Sequence, residues 1–284
     1  MIGGAYAGGV TGRAVGTLVR SLALARVGRA MKPDLSFGHG SRALPIASRI
    51  IGVPSVTMYD YEWVNPLIFN RFCARILLPE AIDEGRCREA GIRNDLVRRF
   101  PGFKEQIYLA DAKPDPALSL ELGLRSDRIK ILFRPPARKA HYHDPRAEPI
   151  MESLLDRLLG DPRVQLVLIP RDESDLGRLA SSHAAQVIVP ARQVQGPSLI
   201  LACDAVFGGG GTMTREAAIL GVPSCTFFTG REGAVDRALE DAGRLVSIRT
   251  LEQALDLPLP PEAERRVPLP HNDIVQVVAD LILV

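Results

Sequence analysis

Four consecutive glycines sit between two apolar stretches, and this arrangement constrains the chain more than any other feature. Ala205-Val206-Phe207 leads into Gly208-Gly209-Gly210-Gly211-Thr212-Met213-Thr214-Arg215-Glu216, an apolar-periodic run follows (Ala217, Ala218, Ile219, Leu220), and Gly221-Val222-Pro223 closes it. The order predicts strand, glycine turn, helix, next strand. Without side chains at the turn, backbone N–H groups and the positive end of the helix dipole are open to an anion. Glu216 stands one turn into that helix, where a carboxylate can accept from sugar hydroxyls. A capping box does not account for Glu216, because Met213 occupies the position where Ser or Thr would be needed. No lysine follows the glycines, which excludes a P-loop. Met213 stands where the dinucleotide fingerprint needs its third glycine.

The rest of the chain repeats the same alternation. Apolar strand-like runs are expected at 34–38, 55–59, 75–78 and 97–100, then at 129–133, 164–169, 186–189, 205–207, 224–227 and 245–247, with helical patterns between them. This is the signature of βαβ units and parallel sheets. Pro101, Pro114 and Pro116 mark residues 101–128 as a connection carrying one short helix at 117–122. Two domains are expected, 1–110 and 111–284. A proline-rich crossing over 257–270 and a last helix capped by Asp273 are expected to return to the first domain. The first half opens on Gly-rich residues and a helix over 13–31, not on a strand. A doubly wound domain begins with a strand, so the recorded start is expected to lie downstream of the true one.

Composition narrows the function. The chain has 284 residues, 46% hydrophobic and 24% charged, and its 35 basic and 33 acidic residues leave a net charge of +2. That near balance argues against nucleic acid as a partner. Cys73, Cys87, Cys203 and Cys225 are scattered without a Cys-x-x-Cys pair, which suits buried free thiols and a cytoplasmic setting. No run is long enough to span a membrane. The basic helix carrying Arg13, Arg20, Arg26 and Arg29 could touch a membrane surface, although a solvated outer face explains it better.

Several polar clusters fall where parallel strands end, the edge at which open α/β sheets bind ligands. Arg134, Arg138 and Lys139, with His141 and His143, share one loop and suit phosphate oxygens, and His141 could move a proton. The pair His141-x-His143 lacks a third ligand beyond Asp144, so no metal is expected. Arg192 and Gln193 could wall a base. His39-Gly40-Ser41-Arg42 is a candidate for a second anion or hydroxyl site. Asp60 and Glu62, flanked by Tyr59, Tyr61 and Trp63, are candidates for a general base beside a sugar-stacking face.

The glycine turn, Glu216 and Gly221-x-Pro223 together resemble the C-terminal donor site of GT-B fold proteins. They are similar to the non-hydrolysing UDP-N-acetylglucosamine 2-epimerases and to glycosyltransferases using the same nucleotide. Over nearly its whole length the chain looks most like an uncharacterised prokaryotic family of GT-B-like domains. Lys32–Gly40, Ile51–Ser55, Pro101–Glu105, Pro170-Arg171-Asp172 and Gly208–Pro223 carry that likeness. Members of that family begin with a further strand–helix–strand.

The resemblance implies two Rossmann-like domains with parallel sheets facing a cleft. Glu216 would hold the ribose hydroxyls, and Gly209, Gly210, Gly211 and Thr212 the diphosphate. It implies glycosyl transfer from a nucleotide-sugar donor, expected to be UDP-linked, to an unknown acceptor, with no cofactor. The alternatives are a UDP-sugar 2-epimerase-like enzyme and a catalytically silent nucleotide-sugar-binding protein. Ser41 and Arg42 stand where the epimerases carry an acid and threonines, a departure that bears on epimerase chemistry.

Overall fold

The computed structural model describes residues 10–138, 144–171, 175, 186–258, 265–271 and 273–283. The chain divides into two compact units. The first comprises Met1–Lys104, Gly233–Val235 and Asn272–Val284, and the second Glu105–Glu232 and Asp236–His271. The division after Lys104 falls within the segment expected to be the connection, a few residues before the expected boundary at 110.

The first unit holds a four-stranded parallel sheet in the order β1-β2-β3-β4 (Ser36–His39, Ser55–Met58, Arg75–Pro79, Val97–Phe100). Its helices are α1 (Val10–Met31), α2 (Ala43–Ile51), α3 (Leu67–Phe72) and α4 (Glu84–Glu89). Strand β2 is buried throughout and β3 carries the apolar run Ile76-Leu77-Leu78, as suits strands covered on both faces. Tyr59, Phe69, Ile76, Leu78, Ile82 and Val97 form one side of the core. Helix α1 packs on α2 through small residues: Ser21 and Ala25 are buried, and a Cβ at Gly28 would stand 2.7 Å from Ile51 Cδ1. Arg75 donates to the carbonyls of Leu281 and Ile282, so the last helix of the chain belongs to this unit.

The second unit holds a six-stranded parallel sheet in the order β10-β9-β8-β5-β6-β7. In chain order these are Ile129–Arg134, Val164–Leu168, Val187–Ile188, Ala205–Gly208, Ser224–Thr226 and Val246–Ser247, numbered β5 to β10. This is the doubly wound order, and it reverses between β5 and β8. The unit's helices are α5 (Gln106–Leu109), α6 (Pro116–Glu121), α7 (Ala147–Leu159), α8 (Gly196–Ala202), α9 (Thr212–Leu220) and α11 (Leu251–Asp256). Helix α10 is Ala234–Asp241, and α12 is Ile274–Leu283. Helix α7 buries Ile150, Leu154, Leu158 and their neighbours at helical spacing, packed against Ile131, Phe133, Leu166, Leu168 and Phe207. Phe133 stacks on both Phe207 and Phe227.

The predicted elements appear with shifted ends. Helix α5 is the exception, formed inside the stretch expected to be a connection. Asp115 caps α6 by accepting from the N–H groups of Ala117 and Leu118, with Pro116 at its first position.

All four cysteines are buried and free. Desolvation pushes the thiols of Cys73, Cys203 and Cys225 up to about 12, and that of Cys87 up as well. An unfolded thiol loses its proton near 9.0, so between that value and 12 the unfolded state binds fewer protons than the folded one. Stability from this source is therefore present below pH 9 and is lost as pH rises through this window. All four thiols should resist a thiol reagent at pH 8 in the folded chain and react after denaturation.

Two glycines test the backbone argument. Gly123 has φ +65° with nothing within 4 Å of a would-be Cβ, so Gly123→Ala should cost about 1–2 kcal/mol. Gly221 has φ +77°, and its Cβ would lie 2.0 Å from the Arg266 carbonyl oxygen. Gly221→Ala should therefore be the more destabilising of the two in urea unfolding.

Candidate functional site

The candidate site lies where the strand order of the second unit reverses. Arg134 ends β5 and Gly208 ends β8, the two are register partners, and the Gly209 N–H donates to the Arg134 carbonyl at 3.0 Å. Each glycine of the run has its own reason to be glycine. A Cβ at Gly208 would stand 2.8 Å from Thr214 Cγ2, and one at Gly209 would stand 2.6 Å from the Pro136 backbone. Gly210 has φ +92° and lies against the Phe228 ring, and Gly211 has φ +104°. The chain thus turns into α9 through conformations that other residues avoid.

No side chain caps α9. The first amides of a helix have no acceptor inside it, so the N–H groups that open α9 face outward at the positive end of its dipole. Arg171 holds the turn by its carbonyl groups: Nε donates to Pro135 O at 2.7 Å and Nη2 to Gly210 O at 3.2 Å. Buried Asp175 accepts from the Arg171 N–H and from the Arg138 guanidinium.

A cleft of about 450 Å³ opens beside this turn, lined by Arg134, Pro170, Arg192, Gln193, Gly196, Thr212 and Glu216 among others. Its size suits a small organic ligand. Arg134 Nε is buried without a hydrogen-bond partner, and Arg134 makes no ion pair with a described carboxylate. The other guanidiniums nearby are engaged. Arg192 chelates Glu121, and Arg215, inside the glycine motif itself, chelates Asp236. Glu216 Oε1 accepts from the Tyr108 hydroxyl at 2.8 Å.

The structure distributes the other predicted residues as follows. Arg138 forms a two-point pair with Glu148 and reaches Asp175; the Glu148 hydrogen bonds lead in holding its guanidinium above the ordinary range. Lys139 and His141 lie outside the described residues. In the first unit, Asp60 is buried beyond the end of β2, 2.6 Å from Lys104 Nζ and 3.6 Å from His39 Nε2. Glu62, two residues away, is fully buried. It pairs with Arg86 at 2.8 Å and accepts the Ala234 N–H at 2.9 and 3.3 Å. Its oxygens are thereby taken up by the first unit's own groups. Sequence reasoning did not single out Lys104, Arg171 or Tyr108 for roles. Each acts on a partner distant in the chain, and local pattern carries no trace of that. Among the described residues, no group of His, Cys, Asp and Glu could hold a metal ion, and no helix is long and apolar enough to cross a membrane.

With this geometry in view, comparison with known proteins places the chain. It belongs to the family described as protein of unknown function DUF354, whose model matches residues 6–283. The uncharacterized protein MJ0665 of Methanocaldococcus jannaschii is 25% identical over 237 residues, 80% of this chain and 66% of that protein. The chain therefore spans just under two thirds of that relative's length.

Among solved structures, it resembles the UDP-GlcNAc 2-epimerase of Neisseria meningitidis bound to UDP-GlcNAc, with TM-score 0.70 and 14% identity, over 94% of this chain and 82% of that one. It also resembles the Methanocaldococcus jannaschii UDP-GlcNAc 2-epimerase in complex with UDP-GlcNAc and UDP, with TM-score 0.68 and 11% identity, over 93% and 81%. Anabaena Alr3699/HepE in complex with UDP follows, with TM-score 0.51 and 19% identity, over 94% and 83%. These likenesses establish the GT-B-like α/β fold expected from sequence.

The buried Glu62 pair gives a direct test of its place in the first unit. Removing Glu62 leaves the buried Ala234 N–H without its acceptor, whereas the Arg86 side chain, 30% exposed, still reaches water. Glu62→Ala should destabilise the protein by about 1–3 kcal/mol, measured by urea unfolding. A stability unchanged within about 0.5 kcal/mol would contradict the structural role.

Proposed function

We propose that the chain is a nucleotide-sugar-dependent glycosyltransferase of GT-B type using a UDP-linked donor. One observation carries the reading: Arg134, whose buried Nε has no hydrogen-bond partner among the described residues, an uncapped α9 N-terminus and Glu216 line one cleft at the switch point. The amides of Gly210, Gly211 and Thr212, with Arg134, would hold the diphosphate, and Glu216 the ribose hydroxyls. The Gly209 amide, bonded to Arg134 O, would shape the turn instead. Arg192 and Gln193 would flank the base.

In the reaction, an acceptor hydroxyl oxygen bonds to the anomeric carbon as the bond from that carbon to the diphosphate oxygen breaks. The departing charge falls on the amides and Arg134, and the acceptor proton passes to a base. Asp60, ion-paired with Lys104 and near His39, is the proposed base, with Glu62 set aside because it is fully buried and both its oxygens accept from Arg86 or the Ala234 amide. That four free thiols suit a reducing compartment supports a cytoplasmic setting.

The fold likeness to 2-epimerases favours a second reading, epimerisation through elimination and re-addition of the nucleotide. Turnover of the nucleotide-sugar without acceptor would select it. Turnover that requires an acceptor selects transfer.

Calorimetric titration with UDP tests the donor site. Arg134→Ala and Glu216→Ala should each weaken binding by about 1–3 kcal/mol, the scale of a hydrogen bond to a charged group. A folded wild type that does not bind UDP would overturn the reading.

A further inference from the structure

Glu216 carries the ribose-binding role in the proposed function, yet nothing on its own helix orients it. It stands on α9 with a half-exposed side chain and three rotatable bonds, and helix neighbours do not bond to it. Among the described residues, its hydrogen-bond partner is the phenol of Tyr108, 108 positions earlier in the chain. The Tyr108 O–H donates to Oε1 at 2.8 Å.

Tyr108 itself has firm support. Helix α5 is only four residues long, but the second unit clasps it: Gln106 Nε2 donates to Pro270 O at 2.5 Å, and His271 Nδ1 bonds to Gln106 O at 2.6 Å. Next to Tyr108, Leu109 is buried at 1% exposure. The helix is held through Gln106 and Leu109, while Tyr108 itself is 47% exposed and its hydroxyl reaches Glu216 Oε1.

The other oxygen of Glu216 lies beside Gly196. Oε2 lies 3.6 Å from the place a Cβ would take on Gly196, and Gly196 and Glu216 both line the cleft. A glycine there leaves room beside Oε2 that a methyl group would fill at ordinary contact distance. A carboxylate oxygen has two lone pairs, so Oε1 can accept from Tyr108 and from one ligand hydroxyl together. A carboxylate fixed at one oxygen, with the second open, is arranged to accept from two neighbouring hydroxyls of one ligand.

We infer that Tyr108 is a positioning residue that fixes the Glu216 carboxylate for a vicinal diol, with Gly196 keeping the space in which that diol sits. The inference rests on the donor-site reading above and adds the groups that make Glu216 selective for ribose. An unrestrained Glu side chain loses rotamer freedom when it binds. The Tyr108 hydrogen bond takes that loss before the ligand arrives.

The test is titration of the full chain with UDP and with 2′,3′-dideoxyuridine diphosphate, which shares the base and diphosphate but lacks the diol. Wild type should bind UDP at least about tenfold more tightly than the dideoxy compound, the size of one hydrogen bond to a charged group. Tyr108→Phe and Gly196→Ala should each remove most of that difference by weakening UDP while leaving the dideoxy affinity unchanged. A general structural lesion would weaken both ligands alike, so the difference isolates positioning.

Tyr108→Phe binding UDP as tightly as wild type, or more tightly, would overturn the inference; tighter binding would make the phenol a competitor of the ligand. Equal binding of the two ligands by wild type would overturn the ribose role of Glu216 along with the inference. Failure of wild type to bind either ligand would sink the donor site as a whole. These outcomes separate a wrong role for Tyr108 from a wrong reading of the cleft.

Discussion

The second unit's candidate site depends on how tightly its glycine turn packs. Pro136 comes so near Gly209, and Phe228 so near Gly210, that a Cβ on either glycine would overlap them. This close approach brings the end of β8 beside the end of β5 and starts α9 there with its amides outward. Arg171 secures the arrangement by engaging carbonyls of the turn, leaving the N–H side open. A bulkier turn would stand away from Pro136 and carry the helix N-terminus with it. The outward helix N-terminus, the cleft beside it and the place of Glu216 all follow from one absence of side chains.

Charge shows how tertiary context sorts residues that look alike in sequence. Arg134, Arg138, Arg171, Arg192 and Arg215 all lie in or near the motifs. Arg138, Arg192 and Arg215 meet carboxylates, and Arg171 braces backbone carbonyls. Arg134, which lines the cleft, has a buried Nε with no hydrogen-bond partner among the described residues. The carboxylates sort in the same way. Glu62 is fully buried among groups of the first unit, whereas Asp60, two residues earlier, lies beside Lys104 and the half-exposed His39.

Much of the fold was legible because parallel strands covered on both faces carry apolar runs, and residues 76–78, 131–133, 166–168 and 205–207 are such runs. The helix α9 was legible from its glycine entry and its Gly221 exit. Helix α5 was not: its four residues show no periodicity, and proline-rich surroundings suggested a plain connection. Its stability comes from Gln106 meeting Pro270 and His271, contacts that join residues more than 160 positions apart. Element ends also moved by a few residues, since caps such as Asp115 act locally but competing tertiary contacts decide where a helix frays.

By itself, the sequence determined a parallel α/β architecture, a glycine turn that only one residue type can make, and the presence of Glu216 one turn inside the following helix. These are properties of local backbone sterics and of periodicity, which the order of residues carries directly. Tertiary structure alone decided that Arg134 lines the cleft while Arg138 is held by Glu148, that Glu62 is bound to Arg86, and that Tyr108 reaches Glu216. Each of these depends on distance and desolvation between residues far apart in the chain, and those quantities exist only once the strands have taken their order.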